Sequence, residues 1–132
     1  MGFFVFIQYL SYMKILITEN QTEAVMSKLM EKFKITKVLL YWQDNGYDSI
    51  TGTVYLYKND EVLGYRHGYE FHYYYDWTSK SLKYRGHGPS IENVDVFRSL
   101  PSEFVIKYFS DKMKTYLENR IKKGYTNIQV RD

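Results

Sequence analysis

The residues best suited to chemistry lie in the middle of the chain, where histidines and acids occur at short intervals. Glu70 and His72 are separated by one residue, and His87 follows further on. Two imidazoles and a carboxylate are the protein ligands of many non-haem metal sites. Residues i and i+2 of a strand point the same way but stand about 7 Å apart. A metal-dependent enzyme is therefore one alternative, and surface contacts between these side chains are the other.

A second pattern mixes tyrosines with basic side chains on one parity of neighbouring predicted strands. Aromatic rings and cations on an open sheet can stack bases and bind phosphates. The same mixture is also typical of solvent-facing strands, because strands favour tyrosine. Lys83 lies on the same predicted face. The candidate binding face comprises Tyr55, Tyr57, Arg66, Glu70, His72, Tyr74, Arg85 and His87.

Other catalytic signatures do not occur in the sequence. The segments 65–68 and 84–88 are rich in glycine and arginine, but neither opens directly onto a predicted helix, as a phosphate-binding loop would. No serine has the surroundings of a hydrolase nucleophile. We therefore predict no catalytic residues, no resident metal and no cofactor, and an enzyme is the less favoured class.

Composition limits the classes of partner. The chain of 132 residues contains 15 tyrosines, no cysteine and a net charge of +3. A mild positive charge does not by itself indicate nucleic acid. A chain without cysteine needs no oxidising compartment, so we expect a cytoplasmic protein.

Two amphipathic helices are predicted to support these residues. Thr18 begins the first helix, with Gln21 completing a capping box, and the helix ends near Lys34. The second helix runs from about Ser102 to Lys123, with Gly124 as its C-terminal cap. The spacing of apolar residues predicts that one stripe of each helix is buried, namely Met26, Leu29, Phe33, Ile106, Phe109, Met113 and Leu117.

The strands alternate apolar and polar residues, and their turns set the register. We predict a turn at residues 43–48, a strand from Ser81 to Tyr84 and irregular chain from Arg85 to Leu100. A turn at Asn59-Asp60 pairs Tyr57 with Val62. We predict one long strand from Glu61 to Asp76, bent or bulged near a glycine. A turn near Thr78-Ser79 then pairs strand residues in the order Tyr75–Leu82, Tyr73–Tyr84, His72–Arg85 and Glu70–His87. This register buries Val54, Leu56, Leu63, Phe71, Tyr73 and Leu82 on one face, which also carries Tyr65.

The remaining expectations concern the ends of the chain. Lys14 to Ile17 and Thr126 to Val130 read as short strands. The apolar run from Phe3 to Leu10 is too short to span a bilayer as a helix and lacks the basic start of a signal peptide. Met13 opens a second possible start, so residues 1–12 could be an N-terminal extension of a chain that begins at Met13.

The opening from Met13 to Gln21, with the letters MKILITENQ, is similar to that of small uncharacterised proteins of marine phages and environmental bacteria. Those proteins commonly begin with Met-Lys-Ile-Ile-Ile-Thr-Glu-x-Gln. The resemblance covers only this segment. It implies a phage or environmental origin, with the host cytoplasm as the location, and it assigns no functional residue.

These observations predict one α+β domain over residues 1–132, with a mostly antiparallel sheet of about five strands against two amphipathic helices. The favoured function is that of a small non-enzymatic binding or assembly protein that forms a homo-oligomer, because the Phe3 to Leu10 run and the tyrosine-rich face expose much apolar surface. A nucleic-acid-binding module is the alternative, followed by the metal-dependent enzyme. No membrane partner is expected.

Overall fold

Two helices and five strands make up the part of the chain that the structure, a computed structural model, describes, which is residues 19–122. The predictions for Phe3 to Leu10, Lys14 to Ile17, the Thr18 cap, Gly124 and Thr126 to Val130 lie outside these residues. The elements are α1 (Glu19–Lys32), β1 (Lys37–Gly46), β2 (Ser49–Lys58), β3 (Glu61–Leu63), β4 (Tyr69–Asp76), β5 (Ser81–Gly88) and α2 (Ser102–Lys122). Two short 3-10 turns, Ile91–Asn93 and Asp95–Phe97, connect β5 to α2.

The strands form one antiparallel sheet in the order β1-β2-β4-β5, and β3 pairs with the C-terminal end of β2. The α+β class and the five-stranded sheet are as the sequence predicts. The first hairpin has the predicted register, with Tyr57 opposite Val62. The second hairpin also begins as predicted, with Tyr75 opposite Leu82 and Tyr73 opposite Tyr84.

Both helices pack on one side of the sheet, which we call the helical side. Val54, Leu56, Phe71, Tyr73 and Leu82 are fully buried there, as predicted. Leu63 is only partly buried. The rest of the fully buried set comes from the helices and the connecting turns, including Met26, Phe97, Phe109, Met113 and Leu117.

Two contacts fix α2 against the sheet. Gly52 of β2 leaves room for Met113, since a Cβ on Gly52 would stand 2.4 Å from the Met113 sulfur. The hydroxyl of the buried Tyr73 donates a hydrogen bond to the Ser110 carbonyl at 2.6 Å. Burial, the nearby Tyr84 and Asp111 together raise the pKa of Tyr73, so its hydroxyl stays protonated and keeps donating.

Two predicted core residues of the helices are wrong. Phe33 follows the last residue of α1, where the chain already turns through Lys34 at a φ of 59°, and its ring is 38% exposed. In α2 the buried stripe passes through Val105, which is fully buried, and Ile106 is only half-buried. The first error comes from the end of the helix, and the second places the stripe of α2 one residue from its true position.

The strand boundaries differ from the prediction at three places. β1 continues to Gly46, and the turn before β2 contains only Tyr47 and Asp48. β5 continues to Gly88, where the sequence suggested irregular chain after Tyr84. The predicted strand from Glu61 to Asp76 is divided into β3 and β4 by a loop at residues 64–68.

The loop at residues 64–68 does not change which residues of β4 face the core. Leu63 lies opposite Leu56 and Tyr69 lies opposite Val54, so the whole loop replaces one strand position, opposite Tyr55. The step from 63 to 69 is even, and residues of one parity therefore stay on one face. Tyr65 is the exception, because it lies in the loop and is 43% exposed.

Neither described helix is long and apolar enough to cross a membrane.

Candidate binding face

The sheet has a second side, opposite the helical side, which we call the outer face. Along β2, the even-numbered residues from Ile50 to Leu56 are buried, whereas the odd-numbered residues from Thr51 to Tyr57 are half-buried. The hydrophobic core cluster of the described residues includes none of the outer-face side chains. The outer face comprises Lys37, Leu39, Tyr41, Gln43, Ser49, Thr51, Thr53, Tyr55, Tyr57, Glu70, His72, Tyr74 and Lys83.

Tyrosine rings and cations alternate across this face. The rings of Tyr41 and Tyr55 meet edge to face with centroids 5.5 Å apart. The Lys37 ammonium lies 4.8 Å from the centre of the Tyr57 ring, a cation–π distance. Tyr41 and Tyr74 are 53% and 41% exposed, respectively. The face therefore offers flat rings to a ligand together with positive charge.

The β1 residues of this face were not assigned from the sequence. Lys37 and Tyr41 lie on β1, whose pairing with β2 places Lys37 opposite Tyr57 and Tyr41 opposite Thr53. The alternation Leu39, Tyr41, Gln43 was present in the sequence. Its assignment to a face needed the β1–β2 register, which the predicted turn at residues 43–48 left open.

Histidine and glutamate occupy the centre of the face. His72 Nδ1 lies 3.2 Å from the Thr51 hydroxyl, and His72 Nε2 lies 3.7 Å from a Glu70 carboxylate oxygen. Both side chains are more than two-fifths exposed. This contact on the surface is worth at most about 1 kcal/mol, and it leaves both groups available to a ligand.

Arg66 is not on a strand of the sheet. It lies in the loop at residues 64–68, which turns back at Gly68 with a φ of 83°. A Cβ on Gly68 would stand 2.5 Å from the Thr53 methyl group and 3.1 Å from the Tyr55 ring. The end of the loop, at Gly68, therefore packs on the outer face beside Tyr55, and Arg66 is exposed in the loop.

His87 is on the opposite side of the sheet from its predicted position. A bulge between His72 and Tyr73 makes Gly86 the partner of His72, with Arg85 as the extra residue, so His87 faces Phe71. The predicted pairs His72–Arg85 and Glu70–His87 are therefore wrong. A bulge adds one residue to a strand and turns every later side chain to the other face. Arg85 remains exposed at the bulge, two residues after Lys83 of the outer face.

The bulge also separates the three residues of the candidate metal site. Glu70 and His72 are on the outer face, whereas His87 is on the helical side. Within residues 19–122, no group of three or more histidines, cysteines or acids is placed to bind a metal ion.

A hydrogen-bonded triad forms where the bulge directs His87. Its Nδ1 is hydrogen-bonded to the Tyr84 hydroxyl, and its Nε2 lies 3.2 Å from a carboxylate oxygen of Glu92. We call these residues the Tyr84–His87–Glu92 triad. Burial, followed by the charge of Glu92, raises the pKa of Tyr84. The sequence did not indicate this cluster, since Glu92 comes from the 3-10 turn beyond the sheet.

A shallow groove of about 580 Å³ lies between α1 and the second 3-10 turn. Phe33 and the Asp95–Arg98 ion pair of 3.0 Å border it. Its charged side chains are of both signs and mostly exposed, so it shows no selectivity for an anion or a cation. The outer face and the triad are the stronger candidates.

Comparisons of this chain with protein-family models, with curated proteins and with solved structures give no match.

Proposed function

We propose that this protein is a non-enzymatic binding module whose outer face binds single-stranded nucleic acid. The observation that supports it is a sheet side without a helix over it among residues 19–122, bearing Tyr41, Tyr55, Tyr57 and Tyr74 beside cations. Every base has a flat face that can stack on an aromatic ring, so such binding tolerates many sequences.

The charges around the rings suit a phosphate backbone. Lys37 and Lys83 lie at the two edges of the sheet, on β1 and β5, and Arg85 adds a third cation beside Lys83. Glu70 adds a negative charge at the centre of the face, where its carboxylate contacts His72. A single strand of nucleic acid lying across the sheet from β1 to β5 would contact a cation at each edge and tyrosine rings between the two edges. The net charge of +3 supports modest affinity that depends on salt.

Affinity for a fluorescein-labelled oligothymidylate, measured by anisotropy at physiological salt, tests the proposal. Replacing Tyr57 and Tyr74 together by Ala should weaken binding by at least about tenfold, since each stacking contact contributes about 1–3 kcal/mol. Tyr47, which is 96% exposed in the β1–β2 turn, is the matched aromatic control, and Tyr47→Ala should leave affinity unchanged.

Arg85→Ala tests the phosphate contact separately. It should weaken binding and lower the slope of affinity against salt by roughly one contact. Lys107→Ala removes the same charge from α2, where Lys107 is 77% exposed beside Asp111, and should change neither quantity. Absence of binding by the unaltered protein at physiological salt would overturn the proposal.

Self-association is a second candidate for the same apolar surface. Leu39 and Tyr41 lie on β1, which pairs with β2 alone among the strands at residues 19–122. We expect a homo-oligomer, and light scattering should give a mass above the 15.9 kDa of one chain. A monomer mass at tens of micromolar protein would contradict this expectation. We also propose that the protein acts in the cytoplasm, of an infected host if its origin is a phage.

A further inference from the structure

We propose that the Tyr84–His87–Glu92 triad is a nucleophilic site at which the Tyr84 hydroxyl accepts an acyl group from an activated ester or amide. The triad lies on the helical side of β5, so this chemistry is independent of binding at the outer face. The arrangement of a nucleophile, a base and a group that orients the base is the general pattern of such sites.

The hydrogen bonds of the triad have a defined direction. An ionised carboxylate only accepts hydrogen bonds, so the His87 Nε2–H donates to Glu92 across 3.2 Å. A neutral imidazole carries one proton, and Nδ1 is therefore the acceptor. The Tyr84 hydroxyl donates to that atom. His87 is thus held in the tautomer that can remove the Tyr84 proton.

Packing holds the base while leaving the nucleophile accessible. The side chains of His87 and Glu92 are only 17% and 13% exposed. The His87 ring stacks on Phe71 with centroids 5.7 Å apart and planes 21° from parallel. Tyr84 is 41% exposed. Tyr84 is therefore open to a reagent in solution, whereas the imidazole and carboxylate are held by their surroundings.

The raised pKa of Tyr84 explains why the hydroxyl needs a general base. Burial and the charge of Glu92 raise that pKa, so the phenolate is scarce at neutral pH. When the hydroxyl attacks, it must therefore lose its proton in the transition state. A general base accepts that proton. Glu92 stabilises the imidazolium that forms at this moment.

The step balances without a further reactant. Tyr84 Oη forms a bond to the acyl carbon while its proton passes to His87 Nδ1. The leaving group departs with the electron pair of the broken acyl bond and takes that proton from His87. The products are O-acyl Tyr84, a neutral leaving group and the triad in its original protonation state.

Acetylation by N-acetylimidazole, followed by peptide mass spectrometry, tests this chemistry in the unaltered protein. Tyr74 is the internal control, since it is also 41% exposed and lies on the outer face without a triad. Tyr84 should be acetylated at least about a hundredfold faster than Tyr74 at neutral pH, which is the lower end of the range for general bases.

The pH dependence distinguishes a base from mere exposure. The rate at Tyr84 should level off once the imidazole is deprotonated. The rate at Tyr74 should continue to rise towards the phenolate range near pH 10. Equal rates with parallel pH profiles at the two tyrosines would overturn the proposal, and this result needs no variant.

Variants identify the base. His87→Asn should lower the rate at Tyr84 to that at Tyr74, and Glu92→Gln should lower it partly by removing the charge that stabilises the imidazolium. The rate at Tyr74 should not change in either variant, which also reports that the sheet is intact. An unchanged rate at Tyr84 in His87→Asn would contradict the assignment of the base.

Discussion

Gly68 shows how one residue shapes the outer face. Its φ of 83° is a conformation that strains other residues. A Cβ there would also displace the side chains of Thr53 and Tyr55, which it would approach to 2.5 and 3.1 Å. The absence of a side chain at position 68 therefore lets the end of the loop lie against Thr53 and Tyr55.

A substitution at Gly68 should be costly for these two reasons. We expect Gly68→Ala to lower the free energy of unfolding in urea by about 2 kcal/mol or more. Gly86→Ala is the matched control, since a Cβ on Gly86 meets nothing within 4 Å, and it should lower that free energy by well under half as much. Equal losses in the two variants would show that the close approach at Gly68 is unimportant.

Arg85 and His87 show why part of the site could not be predicted. The turn residues Asn59-Asp60 and the parity of apolar side chains specify two hairpin registers, and both begin as predicted. A bulge at Arg85 leaves no comparable mark in the sequence, because Arg-Gly is compatible with either regular or bulged strand. The sequence therefore placed Tyr55, Tyr57, His72 and Tyr74 on the outer face correctly and His87 on the wrong one.

The end of α1 explains why the prediction that Phe33 is buried is wrong. A helical stripe predicted from spacing alone continues at Phe33, which is four residues after Leu29. The helix ends at Lys32, and the ring of Phe33 turns to the surface, where the Lys32 ammonium lies 5.7 Å from its centre. Helix ends depend on local caps and packing, so periodicity locates them poorly.

The difference between a buried position in α1 and an exposed position just after its end can be measured. Leu29 is 3% exposed, so Leu29→Ala should lower the free energy of unfolding by about 2–5 kcal/mol. Phe33→Ala removes a larger side chain but should cost less than about 1 kcal/mol, because the ring is 38% exposed. Urea unfolding of both variants checks this, and a greater loss at Phe33 would restore the predicted stripe.

The whole molecule should lose stability in alkali through its buried tyrosines. Burial raises the pKa of Tyr73 above that of a free tyrosine. Above about pH 10 the unfolded chain therefore binds fewer protons than the folded one, and the free energy of unfolding falls as pH rises. Each such tyrosine contributes up to about 1.4 kcal/mol per pH unit to this slope.

Tyr73→Phe separates this effect from the hydrogen bond to Ser110. At neutral pH the variant should be less stable by about 1 kcal/mol, since the Ser110 carbonyl loses its donor. Above about pH 10 its free energy of unfolding should fall less steeply with pH than that of the unaltered protein. Denaturant unfolding at several alkaline pH values measures both, and identical slopes would show that Tyr73 does not drive the alkaline loss.

The two sides of the sheet have different roles in the molecule. One side carries the helices and the core, with Tyr73 and Met113 among its contacts. The other presents rings and charges. A small domain needs only one buried side to fold, so the other is available for a ligand. The bulge at Arg85 divides the polar residues of β5 between the two sides.

Amide chemical-shift mapping tests the proposed location of the ligand most directly. Uniformly nitrogen-15-labelled protein would be titrated with oligothymidylate at physiological salt. We predict concentration-dependent shifts at Thr51, Thr53, Tyr55 and His72, with little change at the exposed α2 residues Lys107 and Asp111. Shifts confined to α2, or no shifts at any oligonucleotide concentration, would contradict binding at the outer face.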